Sequence, residues 1–257
     1  MPDVRLLQNG ALMNRIEDKV LDIVKLSIAS KNIRILELTP GKGRLSKMLM
    51  DNGYNNIEAM DINPEHFKVE GVKCHKGNLN CPLPFESDLF DLVISVEGIE
   101  HLENQYQFAS EVNRVLKDNA YAIITTPNII NFASRLRFLM TGFYSLAERP
   151  SSEFEKNWVI EHIYPITFWQ LRHILHTNGL FIKKIETDHI RRSALIGLIA
   201  YPFAYFFTCK SLIKEGDERQ RKRNMEILGQ IHKPAIYFGR TQIIFAQKQK
   251  HSYIKSI

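Results

Sequence analysis

The chain has 257 residues, of which 44% are apolar and 24% charged, and it carries a net charge of +6. This length holds one well-filled α/β domain but hardly two independent ones, and the apolar share excludes a largely disordered or collagen-like chain. Three cysteines, Cys74, Cys81 and Cys209, have neither a disulfide-framework nor a metal-ligand spacing, which predicts a reducing, cytoplasmic setting and no metal site.

The opening, MPDVRLLQNGALMNRIEDKVL, is broken by charges every few residues and so lacks the apolar run of an export signal. An N-terminal helix is expected within residues 1–30, with amphipathic spacing from about Asn14 to Ser30. Ile33 to Leu38 is a short apolar run ending in Thr-Pro-Gly-Lys-Gly, the pattern of a strand turning into a helix. Asn56 to Met60, running into Asp61, and Gly71 to His75 are the next strand candidates, with a helix-start signal at Asn63-Pro64 between them. Leu89 to Val96 is almost continuously apolar, as a strand covered on both faces must be. Tyr106, Ala109, Val112, Val115 and Leu116 then recur at helical spacing, and Tyr121 to Thr126 is another apolar strand closed by Pro127. Leu180 to Ile185 and Ala235 to Ala246 complete the set. Strand and helix are thus expected to alternate throughout. The pattern predicts an α/β fold with a mostly parallel sheet, helices on both faces, and ligands bound beyond the carboxyl ends of the strands.

The first of those ends carries Glu37, then Gly41 and Gly43, where missing side chains let a ligand approach the backbone. About twenty residues on, Asp61 ends the second strand, the position from which a carboxylate accepts hydrogen bonds from ribose hydroxyls. A ribose-containing cofactor follows. Taken in order, ILELTPGKGR, AMDIN, GNLNCPLPFESDLFDLVISVEGIEHLEN, FASEVNRVLKDNAYAIITTPN and HIYPITFWQLRHILHTNGL resemble the class I S-adenosylmethionine-dependent methyltransferases of the type 11 group, over most of residues 30–190. The resemblance implies a Rossmann-like, seven-stranded, mostly parallel sheet with an antiparallel last strand, in a single domain spanning residues 1–257. It also implies S-adenosylmethionine as cofactor, with Glu37 near the methionyl amine, Gly41 and Gly43 under the cofactor, Asp61 on the ribose diol and Ile62 against adenine. Asn78, where many relatives have aspartate, would meet the adenine amino group beside Leu79, while Val96 and Glu97 would face the pocket. Thr39 stands where the family's first motif has glycine. Pro40 biases it toward extended geometry, which a threonine accepts, whereas a positive φ would not suit it.

On the acceptor side the candidates are His101 with Glu100, Asn128, and His162 with Tyr164. An unperturbed imidazole titrates near neutrality, so His101 could serve as general base, and a lid is expected over residues 141–164. Asn128 could instead cap the following helix.

Charge is unevenly spread. Residues 1–182 carry 19 Lys and Arg against 22 Asp and Glu, a net of −3, while residues 183–257 carry 15 against 6, a net of +9. Within this basic third, residues 191–233 read as a helical insertion before the last strand. Ser193 to Cys209 holds no charge, with Arg191 and Arg192 before it and Lys210 after. Interrupted by Pro202, it is too short to span a bilayer comfortably, so a helix lying in the interface, peripheral to the inner face of an anionic membrane, is expected; a buried helix or a dimer surface is the alternative. Relatives with a segment like Ser134 to Gly142 often accompany polysaccharide or lipid-linked sugar synthesis. The expected activity is therefore O-methylation of a sugar or lipid-linked hydroxyl. Three rival readings remain. Thr39 and Asn78 would suit a methyltransferase-fold binding module without turnover. Gly41 and Gly43 with Asp61 partly mimic a nicotinamide-binding fingerprint, but Ser46 occupies its third glycine position. The basic final third could face nucleic acid, although its interleaving with uncharged aromatics suits a membrane better.

Overall fold

A computed structural model describes residues 4–145, 164–190, 192–214 and 216–249, with side chains from residue 16 onward. Its strands in chain order are β1 (Ile35–Leu38), β2 (Ile57–Asp61), β3 (Lys73–Lys76), β4 (Phe90–Ser95), β5 (Leu116–Pro127), β6 (Leu180–Glu186) and β7 (Thr241–Lys248). They pair in the order β3-β2-β1-β4-β5-β7-β6. Six strands run parallel, and β7 is antiparallel to both its neighbours, β5 and β6. The mostly parallel sheet with an antiparallel last strand is as expected. Its order reverses between β1 and β4, which opens a crevice at their carboxyl ends.

Helices cover both faces. α1 (Val4–Ser27) and α2 (Arg44–Asp51) lie on one, α3 (Gln105–Val115) and α5 (Phe168–Thr177) on the other, while α4 (Phe132–Thr141) follows β5. The continuous apolarity of β4 is explained by this sandwich. Leu92 and Ile94 enter the core under α1 and α2, while Phe90 and Val93 enter the opposite core under α3 and α5. On α3, Phe108, Ala109, Val112 and Val115 are buried at helical spacing; on α5, Phe168, Leu171 and Leu175 do the same. Each such large side chain contributes about 1.5–3 kcal/mol on leaving water. Thr167 and Gln170 close a reciprocal capping box that fixes where α5 begins.

Strict alternation fails on one side of the sheet. Asn63-Pro64 starts only a 3-10 turn, Pro64–His66, and residues 77–89 connect β3 to β4 without a helix. Phe67 and Val69 stand two apart, so no helix could bury both on one face. Instead both press on the loop after β1, where Lys68 N–H donates to Lys42 O at 3.3 Å.

Between β6 and β7 come a 3-10 segment (Arg192–Leu198), α6 (Tyr201–Ile213), α7 (Glu218–Ile231) and α8 (Pro234–Tyr237). Two expectations are corrected here. The uncharged stretch is not one helix: its 3-10 and α parts meet at 69°, because Pro202 lacks an N–H and starts a new helix rather than continuing one. The last strand begins at Thr241 rather than Ala235, since Pro234 opens the one-turn α8. A small third core joins these pieces to α4, with Ala194, Tyr237 and Phe238 packed by Phe132, Tyr201 and Ala204.

Candidate cofactor and acceptor site

Two left-handed turns lie side by side at the crevice. Leaving β1, Thr39 has φ 57, which overturns the extended geometry expected from Pro40. A β-branched residue rarely enters this region, and the cost is about 1–3 kcal/mol. Hydrogen bonds hold it there: its N–H donates to Met60 O at 3.0 Å, and its hydroxyl to Leu38 O at 2.6 Å and Val96 O at 3.4 Å. The turn also carries Gly41 to where its N–H reaches Asp61 Oδ2 at 3.3 Å. Leaving β4, Glu97 has φ 49; its N–H donates to Thr125 Oγ1 at 3.0 Å, and the Thr125 hydroxyl donates back to Glu97 Oε1 at 3.1 Å. Gly98 separates the turns, for a Cβ there would lie 2.9 Å from Ser95 Oγ and 3.0 Å from Thr39 Oγ1.

Around these turns is a cavity of about 240 Å³ whose lining brings together Thr39, Asp61, Ile62, Asn78, Leu79, Glu97 and His101. Met60, Gly77, Asn80, Gly98 and Leu102 complete it. Asp61 Oδ1 accepts from Asn63 N–H at 2.9 Å, so each of its oxygens holds one donor and retains room for another. Asn78 Oδ1 accepts from Asn80 N–H at 2.9 Å, leaving its second lone pair.

Four of the expected cofactor residues do not line the cavity. Glu37 is buried on the α1–α2 face, where the Ser46 hydroxyl donates to its Oε2. Burial pushes its carboxyl up to about 8, and the nearby charge of Glu17 adds to the effect. The alternation of β1 explains this placement, since Leu36 and Leu38 take the opposite face. Gly41 contributes its N–H to Asp61, as above. Gly43, at φ 87, precedes α2, and a Cβ there would meet Val69 Cγ2 at 2.5 Å and Phe67 at 2.6 Å. Val96 packs into the core under α1 and α2 and offers its carbonyl to Thr39.

The acceptor-side candidates scatter more. Tyr164 is half-exposed and outside the lining; its N–H donates to Glu100 O at 3.2 Å, and Gln105 Nε2 donates to its carbonyl at 2.9 Å. His162 and residues 146–163 of the expected lid lie outside the described residues. Asn128 caps no helix: buried, it donates to Ile236 O at 2.7 Å and Gly239 O at 2.9 Å and clamps the turn after α8. Asn131 is the cap of α4. Glu100 is fully buried, and burial followed by the charge of Glu97 holds its carboxyl well above the usual range. Burial likewise pushes Glu97 up to about 7, against the lowering effect of the Arg240 guanidinium.

Arg240, Asp188 and His189 were not expected. Asp188 Oδ2 meets Arg240 Nη1 at 3.2 Å and His189 Nδ1 at 2.8 Å, and Asp188 also acts electrostatically on Glu97. They come together because the chain after β6 runs antiparallel to the start of β7, bridging Ile190 to Gly239. The one signal in the sequence was an ionisable pair, Asp188-His189, just past a strand. Among the described residues, no group of three His, Cys, Asp or Glu is placed to hold a metal ion.

The strand order, with β7 antiparallel between β5 and β6, is that of the Rossmann-like fold of class I methyltransferases. Residues 36–124 match a family model described as a methyltransferase domain. The chain is similar to an uncharacterized protein of Methanocaldococcus jannaschii, 31% identical over 133 residues, covering 49% of this chain and 51% of that protein. It is also similar to a ubiquinone biosynthesis O-methyltransferase of Rickettsia conorii, 33% identical over 110 residues, with 40% and 38% covered. The match thus spans about half or less of these relatives' own length. Among solved structures, an S-adenosylmethionine-dependent methyltransferase from Archaeoglobus fulgidus shares the fold, with a TM-score of 0.52 at 18% identity over 90% of this chain and 94% of that one.

Proposed function

We propose that this chain transfers the methyl group of S-adenosylmethionine to a hydroxyl on a sugar or lipid-linked acceptor presented at a membrane surface. The observation that carries the reading is the composition of the cavity. A carboxylate, Asp61, stands at one side with apolar Ile62, Leu79 and Leu102 around it, and titratable Glu97 and His101 stand with them. In this reading the free lone pairs of Asp61 accept the ribose hydroxyls, Ile62 and Leu79 flank the adenine, and Asn78 meets its amino group. Glu37, Gly41, Gly43 and Val96 shape the loop from behind. The cofactor supplies a methyl carbon already activated by its sulfonium. The protein is left to exclude water, to align the acceptor oxygen and to take its proton, a task for Glu97 or His101. The hydroxyl acceptor is favoured by the name of the Rickettsia relatives, and a membrane surface by the uncharged, basic-flanked stretch before β7.

Calorimetric titration with S-adenosylhomocysteine, beside Asp61→Ala, tests the site. Micromolar binding that the variant weakens at least about tenfold is expected, since a charged hydrogen-bond acceptor is worth about 1.5–3 kcal/mol. A folded parent protein that binds neither S-adenosylhomocysteine nor S-adenosylmethionine would favour a binding module without turnover, a reading the strained Thr39 supports.

A further inference from the structure

Beyond the cavity, the largest feature left without a role is apolar and exposed. On α4, Leu136, Leu139 and Met140 recur at helical spacing, with Leu139 79% and Met140 76% exposed, and exposed Phe143 follows the helix. Across the 3-10 segment and α6, Ile199, Phe203, Phe206 and Phe207 form a second outward stripe, Ile199 being 80% exposed. The two stripes belong to one body, because Phe132 of α4 packs where a Cβ on Gly197 would fall, and Ala194 joins Tyr237 and Phe238 beneath. So many large apolar side chains exposed on one body mark an interaction surface.

The chemistry of the partner can be read from two facts. First, α6 carries no charge from Tyr201 to Cys209, yet only Tyr201, Ala204, Thr208, Cys209 and Leu212 are even partly covered; a helix turn apolar on every face suits hydrocarbon better than water. Second, residues 128–145 and 192–214 carry Arg135, Arg137, Arg192, Lys210 and Lys214 and not one Asp or Glu. All but Arg135 are exposed. Glu215, Asp217 and Glu218 follow Lys214 but are outnumbered by Arg219, Arg221, Lys222 and Arg223, so the border of the apolar centre is net cationic; that charge matches an anionic bilayer, whereas a protein partner would need dispersed hydrogen-bonding groups that these stripes lack. Crossing is not required: among the described residues no single helix is long and apolar enough to span, and only the bent pair passes by length and composition together.

We propose that α4 and the bent pair formed by the 3-10 segment and α6 are one docking platform for anionic lipid, inserting from one side with the flanking Arg and Lys on head groups. This deepens the membrane part of the function proposed above. The bend drives the apolar apex of the pair, around Ile199, deeper than a straight helix lying flat would reach.

The test is partition of the full chain onto vesicles of phosphatidylcholine with about a third phosphatidylglycerol, read by flotation, without cofactor or acceptor. Its failure would therefore leave cofactor binding untouched, and failed calorimetry would leave the platform untouched. The parent is expected to float, and to stay soluble with pure phosphatidylcholine at moderate salt. Phe206→Glu/Phe207→Glu and, separately, Leu139→Glu/Met140→Glu should each lower partition at least about tenfold, and Lys210→Glu/Lys214→Glu similarly. These positions are exposed, so unchanged thermal unfolding will show that the variants fold. A parent that stays soluble, or stripe variants that float like the parent, overturns the proposal. Loss confined to the α6 variant overturns the two-stripe platform. Analytical ultracentrifugation showing a dimer that the same substitutions dissolve would assign the surface to a second copy.

Discussion

Replacing Glu37 by glutamine should change how stability depends on pH, and by an amount the structure lets one work out. The carboxyl is buried, Ser46 donates to it, and burial pushes it up to about 8. In the unfolded chain it titrates near 4.5. Between these values the folded state holds a proton that the unfolded state releases, so stability is fully present below the lower value and is lost as pH rises through the upper one. The loss is about 1 kcal/mol at about pH 5, about 3 at about pH 7, and approaches about 5 above about pH 9. Glutamine keeps the shape and an oxygen that accepts from Ser46, but has no proton to lose. Urea unfolding of parent and Glu37→Gln across this range should give curves that converge at acid pH and separate with the variant the more stable as pH rises. Other raised carboxyls, such as Glu97 and Glu100, act on both proteins and cancel in the difference. Parallel curves would refute the reasoning and mean that Glu37 is ionised and solvated in the folded protein.

Two more outcomes are expected. Gly43→Ala should cost about 2–4 kcal/mol in urea unfolding, combining the left-handed backbone with a Cβ driven into Val69 and Phe67. Glu97→Gln should lower methyl transfer by about 10²–10⁴ and flatten a pH profile that in the parent rises through about 7, as the carboxyl loses its proton and becomes a base. Its affinity for S-adenosylhomocysteine should stay within about threefold.

How much of this could be read beforehand depends on how local the cause was. β4 and α3 were legible because burial on both faces, or on one helical stripe, leaves an unbroken or a periodic apolar pattern in the residues themselves. Asp61 was legible as the carboxylate that ends a strand, and His101 as a residue shortly past one; Ile62, Asn78, Leu79 and Glu97 came from the family resemblance, and all six line the one cavity. Thr39 was misread for the opposite reason: the local bias from Pro40 is weaker than bonds to Met60 and Val96, which are distant in sequence. The helix expected at Asn63-Pro64 failed because a start signal cannot compensate for a segment with no helical apolar face. Glu37 was given to the cofactor by motif, while the alternation of β1 turned it to the other side. Arg240 and Asp188 meet only because β7 returns antiparallel beside the end of β6, and no local pattern announces a contact across 52 residues.

The place of β7 bears on how the chain comes to its fold. The last strand in chain order is not an edge: it sits between β5 and β6, seven of its residues paired to β5 and six to β6. As the chain emerges in order, β5 must therefore wait with one edge of backbone N–H and C=O groups unpaired, and β6 with no strand partner, while the long helical stretch between β6 and β7 is made. During that interval the nascent half-sheet is a template for wrong pairing, and closure is one late, non-local step that joins both flanks at once. Refolding should then be slow and concentration-sensitive, and a peptide of the β7 sequence should compete with it.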